Sequence, residues 1–132
     1  MLKYLFLSSL VLAAGCASVG SYSSNYVDQN ITENEAKLVA NDFISNIKRP
    51  LPPATTTILI KKNDTADNFT PLFINLLQRT GYNVIYTDQP QKQQNIGVNL
   101  NYRIQLNNRT IVYVLQYNVA GEPRVHIHSR PR

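Results

Sequence analysis

From Ile96 to Leu106 every second residue is apolar. Ile96, Val98, Leu100, Tyr102, Ile104 and Leu106 alternate with Gly97, Asn99, Asn101, Arg103 and Gln105. Successive side chains of an extended chain leave on opposite sides, so this pattern predicts a long strand with one buried and one wet face. A second run follows, with Ile111, Tyr113, Leu115, Tyr117 and Val119 on one face of Thr110–Val119. Asn107-Asn108 lies between the two runs, and asparagine tolerates the left-handed backbone of tight turns. Together these features predict an antiparallel hairpin, which limits the chain to folds containing a sheet. Val112 and Val114 make the other face of the return strand partly apolar, which predicts some cover there. Gly121-Glu122-Pro123 predicts a further turn, and Val125 to Ser129 a short edge strand.

The preceding stretch reads as helix and strand in alternation. Thr32-Glu33-Asn34-Glu35 fits a capping box, in which the threonine and the second glutamate satisfy each other's backbone N–H groups. Ala36, Val39, Ala40, Phe43 and Ile47 then recur at helical spacing, up to a stop before Pro50. Leu51-Pro52-Pro53-Ala54 is a stiff, extended connector. Thr55 to Lys61 is rich in β-branched residues and predicts a strand, and Asn63 to Asn68 a polar turn. Phe69, Leu72, Phe73, Leu76 and Leu77 mark the apolar face of a second helix. Asn68 is its expected cap, Pro71 falls in its first turn, and Gly81 should end it left-handed. Tyr82 to Thr87 predicts another strand and Asp88 to Asn95 a loop.

The expected fold is α+β, a single small domain over residues 32–132. One mostly antiparallel sheet of about four or five strands, with a C-terminal β-meander, is packed by one or two helices. A hydrophobic share of 43% is a globular value and argues against wholesale disorder.

The N-terminus is an address. Lys3 precedes an uncharged, mostly apolar run from Tyr4 to Ala14. That run is about eleven residues, too short for the roughly 20 that a spanning helix requires, and reads as a secretory signal. It ends in Leu12-Ala13-Ala14-Gly15-Cys16, which resembles the lipobox of bacterial lipoproteins, with leucine one place further upstream than usual. The resemblance implies that residues 1–15 are a signal peptide, cut between Gly15 and Cys16, with acyl chains such as palmitate on Cys16. Ala17 rather than aspartate follows, which implies sorting to the outer membrane, lipid-anchored on its periplasmic face. Residues 16–31, rich in Ser, Asn, Tyr and Gly, are expected to be a flexible tether. The chain has one cysteine, so it forms no internal disulfide and no cysteine-based zinc cluster.

Catalytic chemistry is hard to place. His126 and His128 share one face of a strand, a spacing used by some metal sites, but no third ligand accompanies them. Asp64 and Asp67 fit a turn and a helix start better than an acid–base pair. The chain has no nucleophile elbow, phosphate-binding loop or dinucleotide fingerprint. Neither enzyme activity, nor a cofactor, nor a bound metal is expected.

Charge is uneven: residues 92 to 132 hold six basic residues, including Arg103, Arg109, Arg124, Arg130 and Arg132, against Glu122 alone. Tyr102, Tyr113 and Tyr117 invite a nucleic-acid reading. However, Tyr102 and Arg103 are consecutive and point to opposite faces, which argues against direct nucleic-acid binding. An anionic envelope surface or acidic protein partner suits the basic end instead. Val112, Val114, Arg103 and Arg109 are the candidate partner contacts.

Several stretches, in order, resemble TrbH, a lipoprotein family of conjugative type IV secretion systems. They are Gly15-Cys16, then Leu51-Pro52-Pro53-Ala54-Thr55-Thr56-Thr57, then Asp67-Asn68-Phe69 with Leu72 and Leu76-Leu77-Gln78-Arg79-Thr80-Gly81-Tyr82-Asn83-Val84, then Gly97 to Arg103. Arg124 to Arg132 has no counterpart in this resemblance. The resemblance implies a structural component of the envelope core complex, anchored in the outer membrane and docked on other secretion-channel subunits, as part of a multi-subunit ring. A second reading stays open: an envelope lipoprotein that binds peptidoglycan or regulates a cell-wall synthase. A periplasmic ligand binder would instead show a deep pocket with convergent polar groups.

Overall fold

The computed structural model describes residues 25–93 and 95–132. In chain order they form β1 (Tyr26–Val27), α1 (Glu33–Ile47), β2 (Thr57–Lys61), α2 (Thr70–Thr80), β3 (Asn83–Thr87), β4 (Val98–Asn99), β5 (Asn101–Leu106), β6 (Thr110–Val119) and β7 (Glu122–Pro131). The expected α+β class and single small domain are what the chain adopts. The single sheet is replaced by two: β1-β5-β6-β7, mostly antiparallel, and β3-β2-β4, wholly parallel.

Both helices begin and end for local reasons. The Thr32 hydroxyl accepts from the Glu35 N–H at 3.1 Å, and the Glu35 carboxylate accepts from the Thr32 N–H at 3.0 Å, the reciprocal capping expected. At α2 the cap is Asp67 rather than Asn68. One Asp67 carboxylate oxygen takes the N–H groups of Phe69 and Thr70, and the other takes the Thr70 hydroxyl at 2.9 Å. Gly81 closes α2 at φ 113°, in the left-handed region, and its N–H reaches back to the Gln78 carbonyl. α2 is the crossover that lets β2 and β3 pair in parallel.

The two helices pack on one face of the sheets. Phe43 of α1 sits at the centre, with the rings of Phe69, Phe73, Tyr102 and Tyr113 between 5.6 and 6.4 Å away. Most of these contacts are edge-on, the geometry that ring quadrupoles favour. The Tyr102 hydroxyl is deeply buried and shares a 2.5 Å hydrogen bond with Thr70 Oγ1, so the α2 cap extends into the core.

The alternating run from Ile96 to Leu106 is divided at Leu100. β4 pairs with β2, and the Leu100 N–H still donates to the Leu59 carbonyl at 3.0 Å. Beyond it β5 leaves β2 and pairs with β6. β1 fills the fork from the side, running parallel to β5. Asn25 bridges the fork: its side-chain oxygen accepts from the Tyr102 N–H at 2.9 Å, and its amide nitrogen donates to the Lys61 carbonyl at 3.4 Å. Val27 and Ile31 are buried in the core. The packed domain therefore reaches back to Asn25, into the stretch expected to be tether.

Behind the parallel sheet, Leu59 points away from the helices yet is fully buried. The turn Pro90–Gln93 lies against β2, and the backbone of Gly97 is so close that a Cβ there would meet the Leu59 side chain at 2.9 Å. Among the described residues, no such cover lies behind β5, β6 and β7.

The turns also differ from expectation. Asn107 to Thr110 does make the β5–β6 turn, but no residue in it has positive φ. The left-handed pair is Ala120 (φ 52°) and Gly121 (φ 82°), the two residues between Val119 and Glu122. Positive φ at both positions is the type I′ pattern that suits a two-residue hairpin. β7 consequently starts at Glu122 and runs the full length of β6, well beyond the short edge strand expected.

Candidate docking surface

Alternation along β5, β6 and β7 sends one set of side chains to the helices and the other to the open back of the four-stranded sheet. The register aligns Tyr26 with Arg103, Arg103 with Val114, and Val114 with Ile127, a single row across all four strands. Arg103 lies over the Tyr26 ring at 5.0 Å, a cation–π contact. Val112 and Val114 are half-buried in this face, while Val125 and Ile127 are 50% and 67% exposed. Three of the four expected contact residues, Arg103, Val112 and Val114, thus share one surface. Arg109 does not: it sits in the β5–β6 turn, where its carbonyl accepts from the Arg132 N–H at 2.8 Å. Sequence reasoning missed Tyr26 and Ile127 as members of the surface. Ile127 carried a usable signal, because Val125 and Ile127 continue a period of two on the strand after β6.

Glu122 opens the helix-facing side of β7, and from there the row reads Arg124, His126, His128, Arg130 and, just past the strand's end, Arg132. Four of the five are tied to neighbouring elements. His126 stacks on Tyr117 and its Nε2 shares a 2.9 Å hydrogen bond with the Tyr117 hydroxyl. His128 stacks on Tyr113, and its Nε2 is bound to the Asn46 side chain at 2.9 Å. Arg130 reaches both Asp42, at 3.0 Å, and the Tyr113 hydroxyl, which itself donates to Asp42. Arg132 closes on Glu35 at 2.9 Å. The C-terminal strand is thereby latched along the length of α1. Arg124 makes no salt bridge or hydrogen bond among the described residues.

These contacts set the electrostatics. The Arg132 hydrogen bond, with help from Thr32, holds the Glu35 carboxyl below its ordinary value. Burial, followed by the charges of His128 and Arg124, lowers His126. Burial pushes the Tyr113 phenol up to about 12, and Asp42 adds to that shift. Tyr102 is raised further, again by desolvation.

The remaining candidates take structural positions. The two histidines use their Nε2 atoms for tyrosine and asparagine, and among the described residues no three His, Cys, Asp or Glu side chains gather into a metal site. Asp67 is committed to α2 and Asp64 lies in the turn before it. Tyr102, Tyr113 and Tyr117 are buried, so none offers a ring for a base to stack on. A wide, open hollow beside Glu33, Asp67, Asn68, Pro71 and Leu72 lacks the enclosure of a ligand pocket. No helix among the described residues is long and apolar enough to cross a membrane. Gly15 and Cys16 lie outside the described residues.

A family model described as conjugal transfer protein TrbH matches residues 18–122. The match takes in every element up to the turn before β7. No curated protein and no solved structure matches the chain.

Proposed function

The chain belongs to the TrbH family of conjugal transfer proteins, and on that premise we propose that it is a lipid-anchored structural component of the envelope-spanning transfer apparatus. Residues 1–15 direct export, Cys16 carries the acyl chains, and the folded domain docks on other subunits from the periplasmic face of the outer membrane. The observation that carries this reading is the family match over most of the domain. The lipobox-like Leu12 to Cys16 supports the anchor, and the bare face of the four-stranded sheet supports docking.

The mechanism is mechanical. Two or three acyl chains hold a protein on a bilayer stably, where one chain alone is reversible. Anchoring confines the domain to a layer close to its partners, so contacts that are weak singly become effective together. The surface has the makings of a partial interface: an aromatic–arginine pair, exposed aliphatic side chains and, among the described residues, no competing internal cover.

The test is co-isolation of the tagged, full-length protein from envelopes of cells carrying the complete transfer system. Recovery of channel subunits with the outer-membrane fraction is the expected result. Recovery of cell-wall synthases or peptidoglycan fragments, with no channel subunit, would replace this reading with that of a cell-wall regulator.

A further inference from the structure

Among the described residues, the outer edge of β7 is a strand edge left open over a short window. Bonds in an antiparallel ladder fall on alternate residue pairs. Arg132 donates its N–H to Arg109 across the β6–β7 ladder. The even-numbered residues of β7 therefore turn their backbone groups toward β6. Pro123, Val125, Ile127, Ser129 and Pro131 turn theirs outward. Both prolines of the strand thus sit where an N–H would face solvent, and they remove it at each end. What remains is a window of outward donors from Val125 to Ser129. Proline at strand ends is a common guard against indiscriminate edge pairing. Here it also sets the length of strand that can be received.

The side chains around the window specify chemistry. On the open face are Val125 and Ile127, exposed and apolar. On the helix-facing side every position from Arg124 to Arg132 is arginine or histidine. A second copy of the chain fits poorly. In every antiparallel self-pairing that keeps the window paired, Arg124 falls opposite an arginine or histidine of the other copy. Arg124 is also the one member of that row with no counter-charge or hydrogen bond among the described residues.

We propose that the β7 edge receives an extended segment of a different polypeptide, added as a fifth strand, with carboxylates alternating with apolar residues. The apolar set continues the row Val114–Ile127 across the open face. The carboxylates lie over Arg124 and the imidazoles of His126 and His128. Backbone bonds supply affinity and the alternating side chains supply selection, as in other strand-addition interfaces. This deepens the docking role proposed above and rests on it.

The experiment places a photo-crosslinking amino acid at Val125 in the full-length protein, in cells carrying the transfer system. The crosslinked peptide is then sequenced. The expected adduct is a segment of another polypeptide with the alternating acidic–apolar pattern. Ile127→Pro removes the middle outward N–H of the window together with the exposed Ile127 side chain, while the N–H groups that face β6 sit on the even-numbered residues and are kept. It should reduce the adduct by about tenfold, the upper end for one backbone hydrogen bond. Arg124→Glu should do the same through charge, and because Arg124 makes no salt bridge or hydrogen bond among the described residues it tests the proposal without breaking a bond of the fold. Adducts to a second copy, to lipid, or to a segment lacking carboxylates overturn the proposal, as does an adduct that survives Arg124→Glu. If the segment fits but belongs to no transfer subunit, the edge proposal stands and the functional reading fails. If no adduct forms while channel subunits still co-isolate, the reverse holds.

Discussion

Removing the Asn25 side chain tests the forked sheet directly. Asn25 is only 8% exposed, and its side-chain oxygen is the acceptor at 2.9 Å for the Tyr102 N–H, where β5 parts from β2. Asn25→Ala leaves that N–H buried without a partner, which costs about 1–3 kcal/mol. The second bond, to the Lys61 carbonyl at 3.4 Å, is long and adds only a small amount. A total of about 2 kcal/mol corresponds to a fall in Tm of roughly 8 °C for a domain of this size. Asn25→Asp restores the acceptor but sets a carboxylate against the Lys61 carbonyl, so it should recover only part of the loss. Urea unfolding of the purified protein reads both variants, with an unchanged m-value as the check that the two-state comparison holds. Hydrogen exchange at the Tyr102 amide gives an independent readout and should accelerate in Asn25→Ala. A midpoint equal to wild type, with Tyr102 still protected, would refute the bridging role.

Three further outcomes follow from the same geometry. Ala120→Asn relieves a left-handed alanine in the β6–β7 turn and should stabilise by about 0.5–1 kcal/mol; Gly121→Ala, with open space around its Cβ, should destabilise by about 1 kcal/mol through backbone strain alone, both read by thermal melting. Gly97→Ala forces a Cβ to within 2.9 Å of Leu59 and 3.0 Å of the Thr57 carbonyl, so urea unfolding should show a loss of about 1–3 kcal/mol from overpacking. The depressed pKa of His126 makes stability depend on pH: burial favours the neutral ring, so its contribution is complete above the unfolded value of 6.5 and is lost as pH falls through the lower folded value. Urea midpoints measured from pH 8 down to pH 5 should therefore decline, and His126→Phe should flatten that part of the profile.

What the sequence revealed depended on whether the controlling physics was local. The capping box of α1 and the glycine end of α2 involve residues within one turn, and both were legible. The alternation from Ile96 to Leu106 identified which side chains face the core, and those assignments hold from Val98 onward, Ile96 alone being exposed. It could not reveal the change of sheet at Leu100, because a period of two specifies a face and is silent about the partner strand. β1 was invisible for a related reason: two residues have no period, and its place depends on Asn25 finding Lys61 and Tyr102 far along the chain.

β7 was underestimated because its inner face is polar. It packs through Asp42, Asn46 and Glu35 of α1 rather than through aliphatic side chains, so hydropathy gave no sign of a full-length strand. Asp67 and Asn68 are both able to cap a helix; the Thr70 hydroxyl, tied to Tyr102, selects Asp67. The docking face was half legible. Val112 and Val114 declared it by being apolar on the wet side of β6, whereas Tyr26 joins it only through the β1–β5 register.

Attachment through Cys16 is the claim on which the functional account turns, and metabolic labelling measures it most directly. Cells making the full-length protein are grown with radiolabelled palmitate, and the protein is isolated from separated inner and outer membranes. The account predicts label on the wild-type chain in the outer-membrane fraction, no label on Cys16→Ser, and loss of conjugal transfer with that variant. An unlabelled wild-type chain, or a Cys16→Ser variant that still reaches the outer membrane and supports transfer, would contradict it.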